Sequence, residues 1–126
     1  PQKNGRIIFG DLVEYGKVWR LGANEATEIE FYKNVKIDDK KVAAGRYTLY
    51  AIPAQDSWTI ILNKDVDTWG AFKYDQQKDV LRTTVPVQKL TEPIEALAMM
   101  FEKTDTGCNL VMAWDNIKVS MPISTK

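Results

Sequence analysis

The chain has 126 residues, with 17 basic and 17 acidic side chains that cancel to a formal net charge of zero. This length suits one self-sufficient domain that needs neither a metal nor a disulfide to fold. Without a basic excess to neutralise phosphates, nucleic acid is not an expected partner. No apolar run reaches the roughly 18 residues of a membrane-spanning helix, so no such segment is predicted.

Histidine is absent and Cys108 is the only cysteine. The lack of histidine excludes Ser–His and Cys–His nucleophile pairs, histidine bases and histidine metal ligands. The sequence therefore favours a non-enzymatic role and implies no cofactor. Cys108 follows a Thr-Asp-Thr-Gly turn with no cluster of cations to activate it, so we expect a small packing residue.

Alternation of apolar and polar side chains predicts short strands along almost the whole chain. The predicted strands are Thr27–Phe31, Val35–Ile37, Arg46–Ile52, Trp58–Leu62, Ala71–Tyr74, Leu81–Val87, Ile94–Glu102, Asn109–Trp114 and a last strand with Ile117, Val119, Met121 and Ile123. Residues 89–93 are predicted to be a connector, and Asp115-Asn116 a bulge or a tight turn. Seven or more short strands with little helix predict an all-β fold, either a β-sandwich or a jelly-roll-like antiparallel barrel.

The stretch "VWRLGANEAT", residues 18–27, is the first candidate site. Arg20 offers a planar fork of donors, Asn24 and Glu25 add polar groups, and Trp19 could stack on a sugar. Alternatively, Arg20 pairs with Glu25 or with a backbone carbonyl, and the stretch is a turn locked by its own polar groups.

Residues 63–80 form a second candidate region, a polar connection that carries Trp69, Phe72 and Tyr74. These aromatic side chains are either a minor core under the connection or a stacking platform for a ligand. Asn63, Asp65 and Asp67 resemble the start of a calcium loop, but Thr68 and Tyr74 break the pattern, so no metal site is predicted.

Five stretches of the sequence resemble a known family, and the first of them contains "VWRLGANEAT". They are "NGRIIFGDLVEYGKVWRLGANEATEIEF", "AAGRYTLYAIP", "WTIILNKD", "WGAFKYD" and "DVLRTTV". In this order they resemble a bacterial family of exported proteins catalogued as a domain of unknown function, from about Gly5 to Ile123. The resemblance implies an all-β fold and a periplasmic or secreted location, but no activity and no catalytic residues. Members usually carry a signal peptide and one more strand upstream, so this chain, a single domain over residues 1–126, is expected to lack both.

Three functions follow from these observations. The first is a binding module for a glycan or another small polar ligand of the cell envelope. Its predicted contacts are Trp19, Arg20, Asn24, Glu25, Trp69 and Tyr74. The second is a structural or protein-interaction domain without a small ligand. The third is a hydrolase that uses two carboxylates, such as Glu14 with Glu25 or Asp65 with Asp67. The sequence does not determine the oligomeric state.

Overall fold

Eight antiparallel strands form two sheets in a computed structural model that describes residues 1–21, 27–66 and 74–126. The strands are β1 (Thr27–Phe31), β2 (Val35–Ile37), β3 (Lys40–Val42), β4 (Gly45–Pro53), β5 (Ser57–Asn63), β6 (Asp79–Pro86), β7 (Gln88–Lys103) and β8 (Gly107–Ser124). The first sheet has the order β1-β4-β5-β6 and the second β3-β2-β8-β7. A short 3-10 helix, Gln76–Lys78, precedes β6. The predicted all-β class is confirmed, and the architecture is the sandwich rather than the closed barrel.

The core lies between the sheets and is built from alternate residues of each strand. Leu49 and Ala51 of β4 face it, as do Ile60 and Leu62 of β5, because successive side chains of a strand point to opposite faces. In β8 the residues that face the main core are Leu110 and Met112 before Asp115, and Ile117, Val119, Met121 and Ile123 after it. Asp115 has a φ of 54°, and the register to β7 shifts on both sides of its pair with Ile94. β8 is therefore irregular at this residue but continues as one strand and does not turn.

Residues 89–93, predicted to be a connector, are part of β7, so that prediction is wrong. β7 is the edge strand of its sheet, and most of its side chains are exposed. Because neither face of this part is buried, nothing required the alternation that identifies other strands. Pro93 is tolerated at an edge, where the register to β8 shifts between Lys89 and Ile94.

Two shorter differences concern β3 and the predicted strand Ala71–Tyr74. β3, which is not among the predicted strands, pairs with β2 from Lys40 to Val42. Of the predicted strand, residues 71–73 lie outside the described residues, and Tyr74 is not in a strand.

The two ends of β8 meet. The backbone nitrogen of Thr125, just beyond β8, donates to the carbonyl oxygen of Thr106 at 2.8 Å. A Cβ atom added to Gly107 would lie 2.1 Å from the carbonyl oxygen of Ile123. Only glycine therefore fits at residue 107 unless the backbone moves.

The N-terminal segment, residues 1–21, connects the two sheets at one end of the sandwich. Trp19 exchanges two backbone hydrogen bonds with Ala51 of β4, at 2.7 and 2.9 Å, and so lengthens the first sheet beyond β1. At the other end of the segment, Gln2 bridges Ala96 on the outer edge of β7. This arrangement places the "VWRL" part of the candidate motif against the core.

Candidate functional site

Trp19 and Arg20 line a pocket of about 360 Å³ at this end of the sandwich. The side chains around it come from the N-terminal segment and from β8. They are Pro1, Arg6, Leu12, Val13, Trp19, Arg20 and Trp114. We call this cavity the arginine pocket.

The aromatic wall of the arginine pocket is held by a cluster of four rings, Phe9, Trp19, Trp58 and Trp114. Trp19 stacks on Trp114 with ring centroids 6.0 Å apart and an interplanar angle of 19°. Trp58 meets Trp19 edge-on at 5.6 Å, and Phe9 meets Trp58 at 5.4 Å. The indole nitrogen of Trp114 donates to the carbonyl oxygen of Glu95 at 2.9 Å. Trp19 therefore has little freedom to reorient, because backbone and rings both fix it.

The electrostatics of the arginine pocket come from two guanidinium groups. Nε of Arg6 donates to the carbonyl oxygen of Lys3 at 3.0 Å, and its Nη2 donates to that of Gln2 at 2.5 Å. Arg20 is half-buried beside Trp19. None of the described side chains that line the pocket is acidic. Both guanidinium groups that line the pocket are cationic, and guanidinium groups bind carboxylates and phosphates in a fork geometry.

Leu21, which follows Arg20, is held by core packing and by a hydrogen bond to its carbonyl oxygen. Leu21 is buried in the main core and has a φ of 59°. The hydroxyl of Thr27 donates to the carbonyl oxygen of Leu21 at 3.1 Å, which ties together the two residues that flank positions 22–26. Asn24 and Glu25 lie outside the described residues, and so does Trp69. Their predicted contacts stay predictions.

Tyr74, another predicted contact, belongs to a polar network on the outer face of the first sheet. Its hydroxyl donates to Oδ2 of Asp79 at 2.5 Å and accepts from Nη2 of Arg82 at 2.7 Å. Nδ2 of Asn63 donates to the second oxygen of Asp79 at 2.9 Å. Burial, and next the hydrogen bond to Asp79, raises the pKa of Tyr74 to about 12. The hydrogen bond to Asp79 is the largest cause that raises the pKa of Arg82.

A bulge in β6 brings Asp79 and Arg82 onto the same face. Residues three apart in a regular strand point to opposite faces. Here Asn63 pairs with Asp79 and Leu62 with Leu81, so the register shifts by one residue at this point. The extra residue lets both charged side chains of β6 reach Tyr74, and Nε of Arg82 donates to Oδ2 of Asp79 at 2.9 Å.

The structure places the rings of Trp19 and Tyr74 on opposite faces of the first sheet. Trp19 pairs with Ala51, which faces the core, whereas the ring of Tyr74 packs on Tyr50 at a centroid distance of 4.8 Å. Tyr50 and Ala51 are consecutive residues of β4, so their side chains lie on opposite faces of the sheet. Sequence reasoning missed Arg6 and Trp114, because no local pattern links either residue to Arg20.

The remaining candidate residues are Cys108 and the acidic side chains considered for hydrolysis. Cys108 is half-buried and packs against the core, and burial raises the pKa of its thiol. Glu14 pairs with Lys17 at 3.5 Å on the surface, and Asp65 pairs with Lys78 at 3.6 Å. Their supposed partners as catalytic carboxylates, residues 25 and 67, lie outside the described residues. In the described ranges, no group of three or more Cys, Asp or Glu side chains could hold a metal ion.

The fold is an antiparallel β-sandwich, and its N-terminal segment and β8 line the arginine pocket. The family described as protein of unknown function (DUF2911) matches residues 1–123, and the chain belongs to that family. The predicted membership in a family of unknown function is thereby confirmed. No curated protein and no solved structure matches the chain. Among the described residues, no helix is long and apolar enough to cross a lipid bilayer.

Proposed function

We propose that the protein is a binding module for a small polar ligand that carries a carboxylate, such as an acidic sugar of the cell envelope. The observation that carries this proposal is the arginine pocket, which two guanidinium groups line beside the half-buried ring of Trp19. A carboxylate can accept hydrogen bonds from guanidinium groups, and the C–H face of a sugar ring suits an aromatic side chain.

The dimensions of the pocket support a ligand of one or two sugar units. Its volume of about 360 Å³ lies near the lower end of the range of roughly 300–1,000 Å³ found for small-molecule sites. The ring cluster fixes Trp19 before any ligand arrives, so little conformational entropy is lost on binding. Asn24, Glu25 and Trp69 are retained as proposed contacts, whereas Tyr74 is not among the described residues that line this pocket and is left out of the proposal.

The test compares D-galacturonate and D-glucuronate with galactose and glucose, their neutral counterparts, by isothermal titration calorimetry. The uronates are expected to bind more tightly than the neutral sugars. Arg20→Gln and Arg6→Gln should each weaken uronate binding about tenfold or more, because each removes charge-assisted hydrogen bonds of about 1.5–3 kcal/mol. Arg46→Gln is the matched control, since Arg46 pairs with Glu28 between β1 and β4 and does not line the pocket. Equal affinities for acidic and neutral sugars, or no binding, would reject the proposal.

A locked turn is the alternative role for Arg20, and a double-mutant cycle distinguishes it. If Arg20 and Glu25 form a buried pair, Arg20→Ala and Glu25→Ala should each cost about 3–5 kcal/mol, and the two losses should be strongly non-additive. Under the binding proposal, both variants melt close to the parent and only ligand affinity falls. Thermal unfolding of the parent, both single variants and the double variant provides the four free energies.

We further propose that the protein works outside the cytoplasm, either in the periplasm or after secretion. The support is its resemblance to a family of exported proteins. Fractionation of cells that express the natural gene should place the protein in the periplasm or the medium. Recovery with the cytosol alone would contradict this location.

A protein-interaction domain is the second candidate, and one exposed patch favours it. Met100 and Phe101 of β7 are 57% and 59% exposed and lie beside a cavity that β1 also lines. Exposed apolar side chains on an edge strand are typical of protein interfaces. Sedimentation of the parent and of Phe101→Ser tests this role. A parent that is monomeric at every concentration would argue against self-association through this edge.

A further inference from the structure

We infer that the cleft between β6 and the C-terminal half of β8 is a second binding site, which takes a neutral oligosaccharide. The cleft has a volume of about 780 Å³ and opens to solvent. It shares no lining residue with the arginine pocket, whose volume is less than half as large. The inference therefore does not depend on the proposed function, and either one can fail alone.

Hydroxyl groups dominate the polar part of the cleft. They come from β6, from the turn before β8 and from β8 itself: Thr83, Thr84, Thr104, Thr106, Ser120 and Ser124. A hydroxyl both donates and accepts, so such a set matches the mixed donors and acceptors of sugar hydroxyls. Two of these groups have internal partners as well: Thr83 donates to Oδ2 of Asp38 at 3.3 Å, and Ser124 donates to the carbonyl oxygen of Lys126 at 3.3 Å.

Charge around the cleft is balanced. Lys36 and Lys126 contribute two positive charges, and Asp38 and Asp39 contribute two negative charges. A strongly charged ligand gains little from such a lining, whereas a neutral polar ligand can use all four groups as hydrogen-bond partners. This balance distinguishes the cleft from the arginine pocket, for which we propose a ligand with a carboxylate.

Apolar side chains form the rest of the lining. Ile37, Val85 and Met121 are buried in the core behind the cleft. Pro86 of β6 and Pro122 of β8 are exposed and supply apolar ring surfaces to it. These surfaces suit the C–H faces of sugar rings, which alternate with hydroxyl edges along an oligosaccharide. The volume lies toward the upper end of the range for ligand sites of roughly 300–1,000 Å³, so the cleft can hold several linked units.

Cys108 supplies a reporter for occupancy, because this single thiol lines the cleft. The probes are maltohexaose, cellohexaose, xylohexaose and N-acetylchitohexaose, each added to the intact protein. At least one should bind in calorimetry, slow the alkylation of Cys108 by iodoacetamide, and shift the amide resonances of Thr83, Thr106 and Ser120.

Two variants and a control test the hydroxyl groups directly. Ser120→Ala and Thr106→Val should each weaken the binding of the active probe about threefold to tenfold, since each removes one hydrogen-bonding group. Thr91→Val is the control, because Thr91 is exposed on β7 and does not line the cleft. Melting temperatures of all three variants should match the parent.

Three results would overturn the inference. The first is that none of the four probes binds. The second is that the amide shifts cluster around Trp19 and Arg20 rather than around the cleft. The third is that Ser120→Ala and Thr106→Val bind the active probe as well as Thr91→Val does. Arg20→Gln separates the two sites, because it should weaken uronate binding and leave the hexaose unaffected.

Discussion

On its inner face, the first sheet buries Trp58 in a cluster of aromatic rings, whereas its outer face, along the same strand, buries the amide of Asn63. The ring cluster gains stability from apolar area and close packing, which are almost indifferent to the exact partner of each atom. Asn63 is 1% exposed and depends on a full set of partners: Nδ2 donates to Asp75 and Asp79, and Oδ1 accepts from the nitrogen of Asp65.

Because packing stabilises the inner face and hydrogen bonds stabilise the outer face, the two faces should respond differently to a substitution. Removing a ring leaves a cavity, and the loss of free energy grows with the volume removed. Removing one member of the polar network leaves its former partners without a hydrogen bond. The loss of free energy then depends on which groups lose a partner and not on the volume removed.

The largest effect is expected from Trp114→Ala, which removes the ring that β8 contributes to the cluster around Trp58. Trp114 is 1% exposed and stacks on Trp19, so its truncation should cost about 3–5 kcal/mol of unfolding free energy. Urea denaturation measures this loss. Trp114→Phe is the control, because it keeps an aromatic ring and should cost less. A loss of only about 1 kcal/mol in Trp114→Ala would mean that the cluster is not a stabilising part of the core.

Asn63→Ala should destabilise the outer face by about 1–3 kcal/mol, because it removes three hydrogen bonds and leaves buried groups of Asp65 and Asp79 with fewer partners. Thr59→Val is the control on the same strand and the same face, where the side chain is only half-buried. Equal stability of Asn63→Ala and the control would show that the network contributes nothing to the fold.

Tyr74→Phe is expected to cost about 0.5–1.5 kcal/mol, since it deletes one hydroxyl but leaves Arg82 and Asn63 bound to Asp79. Tyr32→Phe serves as the matched control, because Tyr32 is 89% exposed. Thermal melts of both variants against the parent measure the difference. A larger loss in the control would contradict the role of the Tyr74 hydroxyl.

The smallest effect is a dependence of the outer face on pH. The pKa of Tyr74 is about 12 in the folded state, above the value of about 10 expected when the chain unfolds. The protonated phenol therefore stabilises the fold fully below pH 10, and this contribution is lost as pH rises toward 12. The difference in melting temperature between the parent and Tyr74→Phe should shrink over that range. A difference that stays constant or grows would contradict this linkage.

Much of the fold was predictable because a strand with one buried face alternates apolar and polar residues in the sequence. β1 and β2 have the predicted bounds, and the hairpin of β4 and β5 differs from its prediction by one residue at each strand end. The extension of β7 through residues 89–93 shows no such alternation, because those side chains are mostly exposed. Alternation of apolar and polar residues indicates a strand with one buried face, so it does not identify an exposed edge strand.

The candidate site was predictable only where neighbours in sequence are also neighbours in space. Trp19 and Arg20 satisfy that condition, and they do line one pocket. Arg6 and Trp114 reach the same pocket from 14 and 94 positions away in sequence, counted from Arg20, a relation that only the tertiary fold creates. Tyr74 was predicted to contact the same ligand as Trp19, but side-chain alternation along β4 places the two rings on opposite faces of the first sheet.

The ring cluster also has an optical consequence. Three of the chain's four tryptophans lie in it, and two of them, Trp19 and Trp114, form a nearly parallel pair. Their transition dipoles are close enough to couple, so the near-ultraviolet circular dichroism of the protein should be dominated by this single locus. Because the same two indoles line the arginine pocket, a ligand that enters it changes their coupling and their fluorescence. The pocket therefore contains its own chromophore, and its occupancy can be followed by light without any added label.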